Sequence, residues 1–135
     1  MSIQSAKIIE LPKILDERGN LSFLEENNHI PFKVERTYWI YDVPGGEFRG
    51  GHSYHANQEV IIALSGSFDV LLDDGNKKTV FSLNRSYYGL YIPNGVWRQI
   101  ENFSTNALSF IVASTAYNEA DYERDYQKFI EKVSK

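Results

Sequence analysis

Three side chains able to ligate a metal or move a proton, His52, His55 and Glu59, fall within the eight residues 52–59 of the stretch GGEFRGGHSYHANQEVIIALSG. Read as a ligand set they suggest a metal centre. Side chains on a strand alternate between faces, so His52 shares a face with Tyr54, and His55 falls on the other with Ser53. A His-x2-His pair on a strand is therefore a poor chelate. What remains beside His52 is a phenol. An imidazole near its free pKa of about 6.5 suits general base work at neutral pH, and a tyrosine hydroxyl can donate or relay a proton.

The elements that must hold these residues are short. Residues 33–43 (KVERTYWIYDV) are aromatic and β-branched, and residues 59–73 (EVIIALSGSFDVLLD) form two strands around a turn at Ser65-Gly66-Ser67. DDGNKK (73–78) is a hairpin turn in which Asp-Gly supplies the positive φ. KTVFSL, YGLYIP (88–93), VWRQIENF (96–103) and NALSFIVAS (106–114) follow as strands. Strands this short and evenly spaced predict an all-β sandwich or barrel. The period then changes. Tyr122, Tyr126, Phe129, Ile130 and Val133 fall on one face of a helix expected over about 119–133, and this aromatic stripe is expected to pack on the barrel.

Composition narrows the class. The chain has 135 residues, 42% of them apolar, which suits a single folded domain with its own core. It has no cysteine, which excludes disulfides, zinc fingers, iron–sulfur centres and a thiol nucleophile. No apolar run is long enough for a membrane helix and the N-terminus lacks the core of a signal peptide, so a cytoplasmic location is expected. A net charge of −4 argues against a general nucleic-acid binder, but not against a phosphorylated small ligand held by a few arginines.

Two spaced motifs carry a resemblance. Gly46, His52, Glu59 and Gly66 fill the frame G-x5-H-x-H-x3or4-E-x6-G, and Pro93, Gly95, Arg98 and Asn102 fill P-x-G-x2-H-x3-N, with every spacer intact. The chain thus resembles a cupin, which implies a jelly-roll β-barrel over about 7–114 followed by the C-terminal helix, one cupin domain over 1–135. Two ligand positions are replaced, the second histidine of the first motif by Tyr54 and the histidine of the second by Arg98. A guanidinium has no lone pair for a metal and would repel a divalent cation. The expectation is an acid–base pocket with no metal and no cofactor.

The order ERGNLSFLEENNHIPFKVERTYWIYDV, RGGH, SGSFDVLLDDG, YGLYIPNGVWRQIENFS and AYNEADYERDY is similar to the nucleotide-sugar 3,4-ketoisomerases, over about residues 14–127. The resemblance implies a homodimeric, metal-free cupin that converts dTDP-4-oxo-6-deoxyglucose to the 3-oxo sugar. It implies a place in the making of 3-amino-3,6-dideoxy sugars for lipopolysaccharide or S-layer glycans. Carried over, it makes His52 the catalytic base, Arg49 a diphosphate ligand and Tyr38 a wall of the sugar pocket. Arg98 or Tyr38, or both, would stabilise the enediolate oxygen, and Tyr54 or His52 would return the proton. Arg18 and Arg98 occupy the two positions that distinguish the family's C4-inverting and C4-retaining branches. One branch carries Arg then His and the other Tyr then Arg, so this chain takes one residue from each and leaves both C4 configurations open. Where the family often has glutamine this chain has Glu59, expected with Arg18, Arg36, Arg49, Tyr91 and Trp97 among the substrate-binding residues. Arg36 would reach phosphate or pair with Glu35 or Asp42. Tyr91 and Trp97 would line or floor the barrel, where either could stack on base or sugar.

Three rival functions stay open. A 3,5-epimerase on the same sugar would exchange protons at C3 and C5. A non-catalytic sugar-nucleotide-binding cupin would bind without exchange, and Tyr54 in place of a histidine keeps that reading alive. A metal-dependent cupin would purify with stoichiometric metal, against the Arg98 argument.

Overall fold

The computed structural model describes residues 3–134, and twelve strands and one helix carry its regular structure. They are β1 (Lys7–Glu10), β2 (Lys13–Ile14), β3 (Leu21–Ser22), β4 (Arg36–Ile40), β5 (Arg49–Tyr54), β6 (Glu59–Ser65), β7 (Phe68–Asp73), β8 (Lys78–Leu83), β9 (Tyr88–Ile92), β10 (Trp97–Glu101), β11 (Leu108–Ala113), β12 (Tyr122–Glu123) and α1 (Tyr126–Val133). Two five-stranded antiparallel sheets face each other, in the orders β1-β9-β6-β11-β4 and β12-β5-β10-β7-β8, and β2 and β3 form a small separate hairpin. This is the expected cupin-like jelly roll.

Alternation decides what each strand sends inward. From the first sheet, Ile61, Leu90, Ile92 and Ile111 meet Val70, Leu72 and Ile100 of the second in the main core. The residues between them, Val60, Ile62, Tyr91 and Val112, face the other way, where Leu11, Ile30 and Phe32 of the N-terminal segment cover them. Both faces of β6 are therefore apolar, which is why residues 59–63 are buried without a break. The same parity sends Glu59 inward on the row of Ile61 and Ala63. Arg36, Tyr38 and Ile40 pair with Ala113, Ile111 and Ser109, so they too sit on the inner row.

One irregularity shapes the barrel mouth. Arg98 pairs with His52, but Ile100 pairs with Arg49, so β5 carries one extra residue against β10. Gly50, at φ +74°, lies in this bulge. A left-handed residue costs glycine nothing, and the added twist re-aims the strand beyond it.

The C-terminus departs from expectation. The expected helix over 119–133 starts only at Tyr126. Before it come a single 3-10 turn at Glu119–Asp121 and the short strand β12. The Asp121 carboxylate accepts from the amides of Ala56 and Asn57, at 2.7 and 3.1 Å, and its carbonyl accepts from His55 N–H. These bonds tie the segment to the end of β5, where Tyr122 pairs with Tyr54. Asp125 then caps α1 by accepting from the amides of Gln127 and Lys128. Tyr126 and Phe129 pack on Trp97 as the stripe predicts, while Tyr122 leaves it for the barrel mouth.

Candidate active site

A cleft of about 320 Å³ opens at the mouth of the barrel. Its walls include Tyr38 from β4, Arg49 and His52 from β5, Arg98 from β10, and Tyr122 and Arg124 from the C-terminal segment. The imidazole of His52 is 5% exposed and packs against two phenol rings, edge-on to Tyr54 with centroids 4.7 Å apart and tilted to Tyr122 with centroids 4.9 Å apart. Neither of its ring nitrogens has a hydrogen-bond partner among the described residues. Burial, helped by the charges of Arg98, Arg124 and Arg36, lowers its pKa to about 2. His52 is thus a neutral base with a free lone pair throughout the ordinary pH range.

Below the imidazole lies a buried polar knot. Arg98 is 1% exposed. Its Nε donates to Glu59 Oε1 at 2.5 Å, its Nη1 to the Gly50 carbonyl at 3.0 Å and its Nη2 to the Tyr38 hydroxyl at 2.9 Å. Tyr38 in turn donates to Glu59 Oε2 at 2.8 Å and lies 3.3 Å from the Tyr54 hydroxyl. Burial opposes the charge on Arg98, but Glu59 more than offsets this and the guanidinium stays protonated. The phenols of Tyr38 and Tyr54 are both pushed well above the usual tyrosine range, chiefly by burial, with Glu59 adding to it and Arg98 opposing. Both tyrosines are therefore neutral acids. The site holds a base, two phenolic acids and a fixed cation, which is the equipment for moving a proton next to a carbonyl and stabilising the oxyanion that results.

The chain matches the family described as "FdtA: WxcM-like, C-terminal" over residues 4–134. The chain belongs to the FdtA family. It is 40% identical over 129 residues to a TDP-4-oxo-6-deoxy-alpha-D-glucose-3,4-oxoisomerase from Aneurinibacillus thermoaerophilus, an alignment covering 96% of this chain and 93% of that one. A 3,4-ketoisomerase from Helicobacter canadensis superposes with a TM-score of 0.94 at 37% identity, covering 97% of this chain and 98% of that one. A mutant of the 3,4-ketoisomerase QdtA from Thermoanaerobacterium thermosaccharolyticum, solved in complex with TDP-4-keto-6-deoxyglucose, superposes with a TM-score of 0.95 at 31% identity over 98% of this chain and 96% of that one.

Within this FdtA-family barrel the residues singled out from sequence divide into three groups. His52, Tyr54, Tyr38, Arg98 and Arg49 line the cleft together. Arg36 lies beside them, with its guanidinium carbon 5.4 Å from the Tyr38 ring centre and its Nε and Nη2 buried without partners among the described residues. It pairs with neither Glu35 nor Asp42. Glu59 is inside the barrel, but Arg98 and Tyr38 occupy its carboxylate oxygens, so it underlies the cleft instead of lining it.

Arg18, Tyr91 and Trp97 are elsewhere. Arg18 stands between β2 and β3, exposed and bonded to Asp16. Tyr91 and Trp97 do not line or floor the barrel interior. Leu90, Ile92 and Arg98 point in, so alternation turns these two aromatics out. Tyr91 packs near Phe32 and donates to Gln58, and Trp97 packs against α1. His55 follows the end of β5, with Nδ1 2.8 Å from Lys132 Nζ on α1, away from His52 as alternation predicts. Among the described residues no group of three or more His, Cys, Asp or Glu converges as a metal site.

Sequence reasoning missed Tyr122 and Arg124. Arg124 lies 4.2 Å over the Tyr122 ring and is held by Glu119, so a further cation and a further aromatic reach the cleft from the C-terminal segment. The available signal was Asp125, an N-cap residue type directly before Tyr126, which marks a helix start inside the expected helical stretch.

Proposed function

We propose that the chain acts as a sugar-nucleotide 3,4-ketoisomerase, converting dTDP-4-oxo-6-deoxyglucose to a dTDP-3-oxo-6-deoxyhexose by acid–base proton transfer without a metal. The observation that carries this reading is the buried, unpartnered imidazole of His52 facing a cleft that the fixed guanidinium of Arg98, its cross-strand neighbour, also lines. His52 takes the proton from C3, which the C4 carbonyl acidifies. The charge that moves onto O4 falls to the N–H groups of Arg98 that Glu59, Gly50 and Tyr38 leave free, with the Tyr38 hydroxyl beside them. A proton returns at C4 from Tyr54 or from protonated His52, O3 gives up its proton and O4 gains one, leaving the ketone at C3. C3–H and O3–H are exchanged for C4–H and O4–H, so no oxidant enters.

The cations suit a diphosphate. Arg36 carries unpartnered donors, and Arg49 and Arg124 line the cleft. A diphosphate seated on them would cancel part of the positive field that holds His52 down and would raise its basicity on binding. Substrate binding would in this way prepare the base.

The working form we propose is a homodimer. Leu15 and Ile14 on the β2–β3 hairpin are 71% and 55% exposed, and Trp39 on the edge strand β4 is 56% exposed, more apolar surface than a lone copy gains from. Arg18 sits between these hairpin strands and would enter a site only across such an interface. Light scattering tests the dimer, and a monomer at micromolar concentration would refute it. Incubation with dTDP-4-oxo-6-deoxyglucose followed by proton NMR tests the activity, and recovery of unchanged sugar would refute it.

A further inference from the structure

We propose that Glu59 is a positioning residue for the isomerisation, acting through Arg98 and Tyr38 without touching the sugar; this rests on the ketoisomerase reading above. Three observations lead there. First, Glu59 is 1% exposed and held on both sides in the sheet, by Ala113 of β11 and Ile92 of β9, so its carboxylate has a fixed place. Second, its two oxygens take the Arg98 Nε and the Tyr38 hydroxyl, while Arg98 closes the triangle onto that hydroxyl. Third, Gly50 clamps the guanidinium from the other side. A Cβ there would stand 2.2 Å from Arg98 Nη1, and the carbonyl of Gly50 already accepts from that nitrogen.

The consequence is geometric and electrostatic. A guanidinium has five N–H groups. Glu59, Gly50 and Tyr38 occupy three, one on each nitrogen, which fixes the plane and leaves one N–H on each terminal nitrogen for an oxyanion. The carboxylate also balances the buried charge of Arg98 and, as a nearby negative charge, helps Tyr38 and Tyr54 keep their protons. Where the cupin frame places metal ligands, this chain has an internal ion pair that aims one cation and shields the groups around it. A buried pair of this kind adds little stability, so its value lies in orientation.

Glu59→Gln keeps the shape and an acceptor oxygen but removes the charge. Steady-state kinetics should show kcat falling about 100-fold while KM and the Kd for TDP change by less than about threefold, because the loss is confined to the transition state. The alkaline limb of kcat should move toward neutral pH, since a phenol without the nearby carboxylate ionises more readily. A kcat within about threefold of wild type, or a matching loss of TDP affinity, would overturn the role. If the variant does not fold, Gly50→Ala displaces Arg98 from the opposite side and should give the same split between kcat and KM; unchanged kcat there would equally overturn it. An inactive wild-type protein would refute the ketoisomerase reading itself, whereas an active one indifferent to both substitutions refutes only the role of Glu59.

Discussion

Burial of a neutral histidine makes the fold sensitive to acid by an amount that can be worked out. Folded His52 titrates at about 2 against a free value of 6.5, because burial and the three arginines oppose its charged form. Below pH ~6.5 the unfolded imidazole takes up a proton and the folded one does not, so stability is full above that pH and is lost progressively as pH falls toward the folded value. Each unit in this window removes at most about 1.4 kcal/mol, so moving from pH ~7.5 to ~4.5 should cost up to about 2.7 kcal/mol through this residue alone. His52→Asn removes the titration while keeping a polar side chain of similar reach. Urea unfolding of both proteins at the two pH values, at one protein concentration, isolates the contribution as a difference of differences. The wild type should lose roughly 2–3 kcal/mol more than the variant on acidification. Equal losses within about 0.5 kcal/mol would refute the claim that the folded protein holds His52 uncharged.

Tyr54→Phe deletes one hydroxyl 3.3 Å from that of Tyr38 and should lower kcat about 100-fold with KM little changed; a fall below about threefold would move the acid role to protonated His52. Arg124→Ala should raise KM for the nucleotide sugar and the Kd for TDP together, by about tenfold, as expected of a diphosphate contact made equally in ground and transition states. Trp97→Ala should cost about 3–5 kcal/mol in chemical denaturation through its lost packing on Tyr126 and Phe129, with KM unchanged for the folded fraction; a KM effect would return Trp97 to the substrate site.

Period-two patterning was the part of this molecule most readable from sequence. It placed His52 beside Tyr54 and separated His55 from both, and the cleft has that arrangement. Applied to β9 and β10 the same rule turns Tyr91 and Trp97 outward, and their assignment to the barrel interior rested on aromatic character instead. The knot under the cleft was less legible. Glu59 and Arg98 are 39 residues apart, and only the meeting of two sheets brings their charges within bonding distance. Neither residue type alone shows which of them meets substrate. The C-terminal segment misled for a different reason. Tyr122 fits the helical stripe by spacing, but side-chain bonds from Asp121 to the backbone of Ala56 and Asn57 outweigh local periodicity and turn it into a strand residue. Arg18 lies on an exposed hairpin, bonded to Asp16, and would reach a site only in the dimer proposed above, which no pattern within one chain specifies.

The measurement that bears most directly on the central claim is the position of deuterium after reaction of dTDP-4-oxo-6-deoxyglucose in D2O. A 3-oxo product unlabelled at C5, carrying label at C4 to the extent that the proton donor has exchanged with solvent, and formed by the wild type and not by His52→Asn, is the predicted result. Unconverted, unlabelled sugar, or label entering at C5, would contradict it.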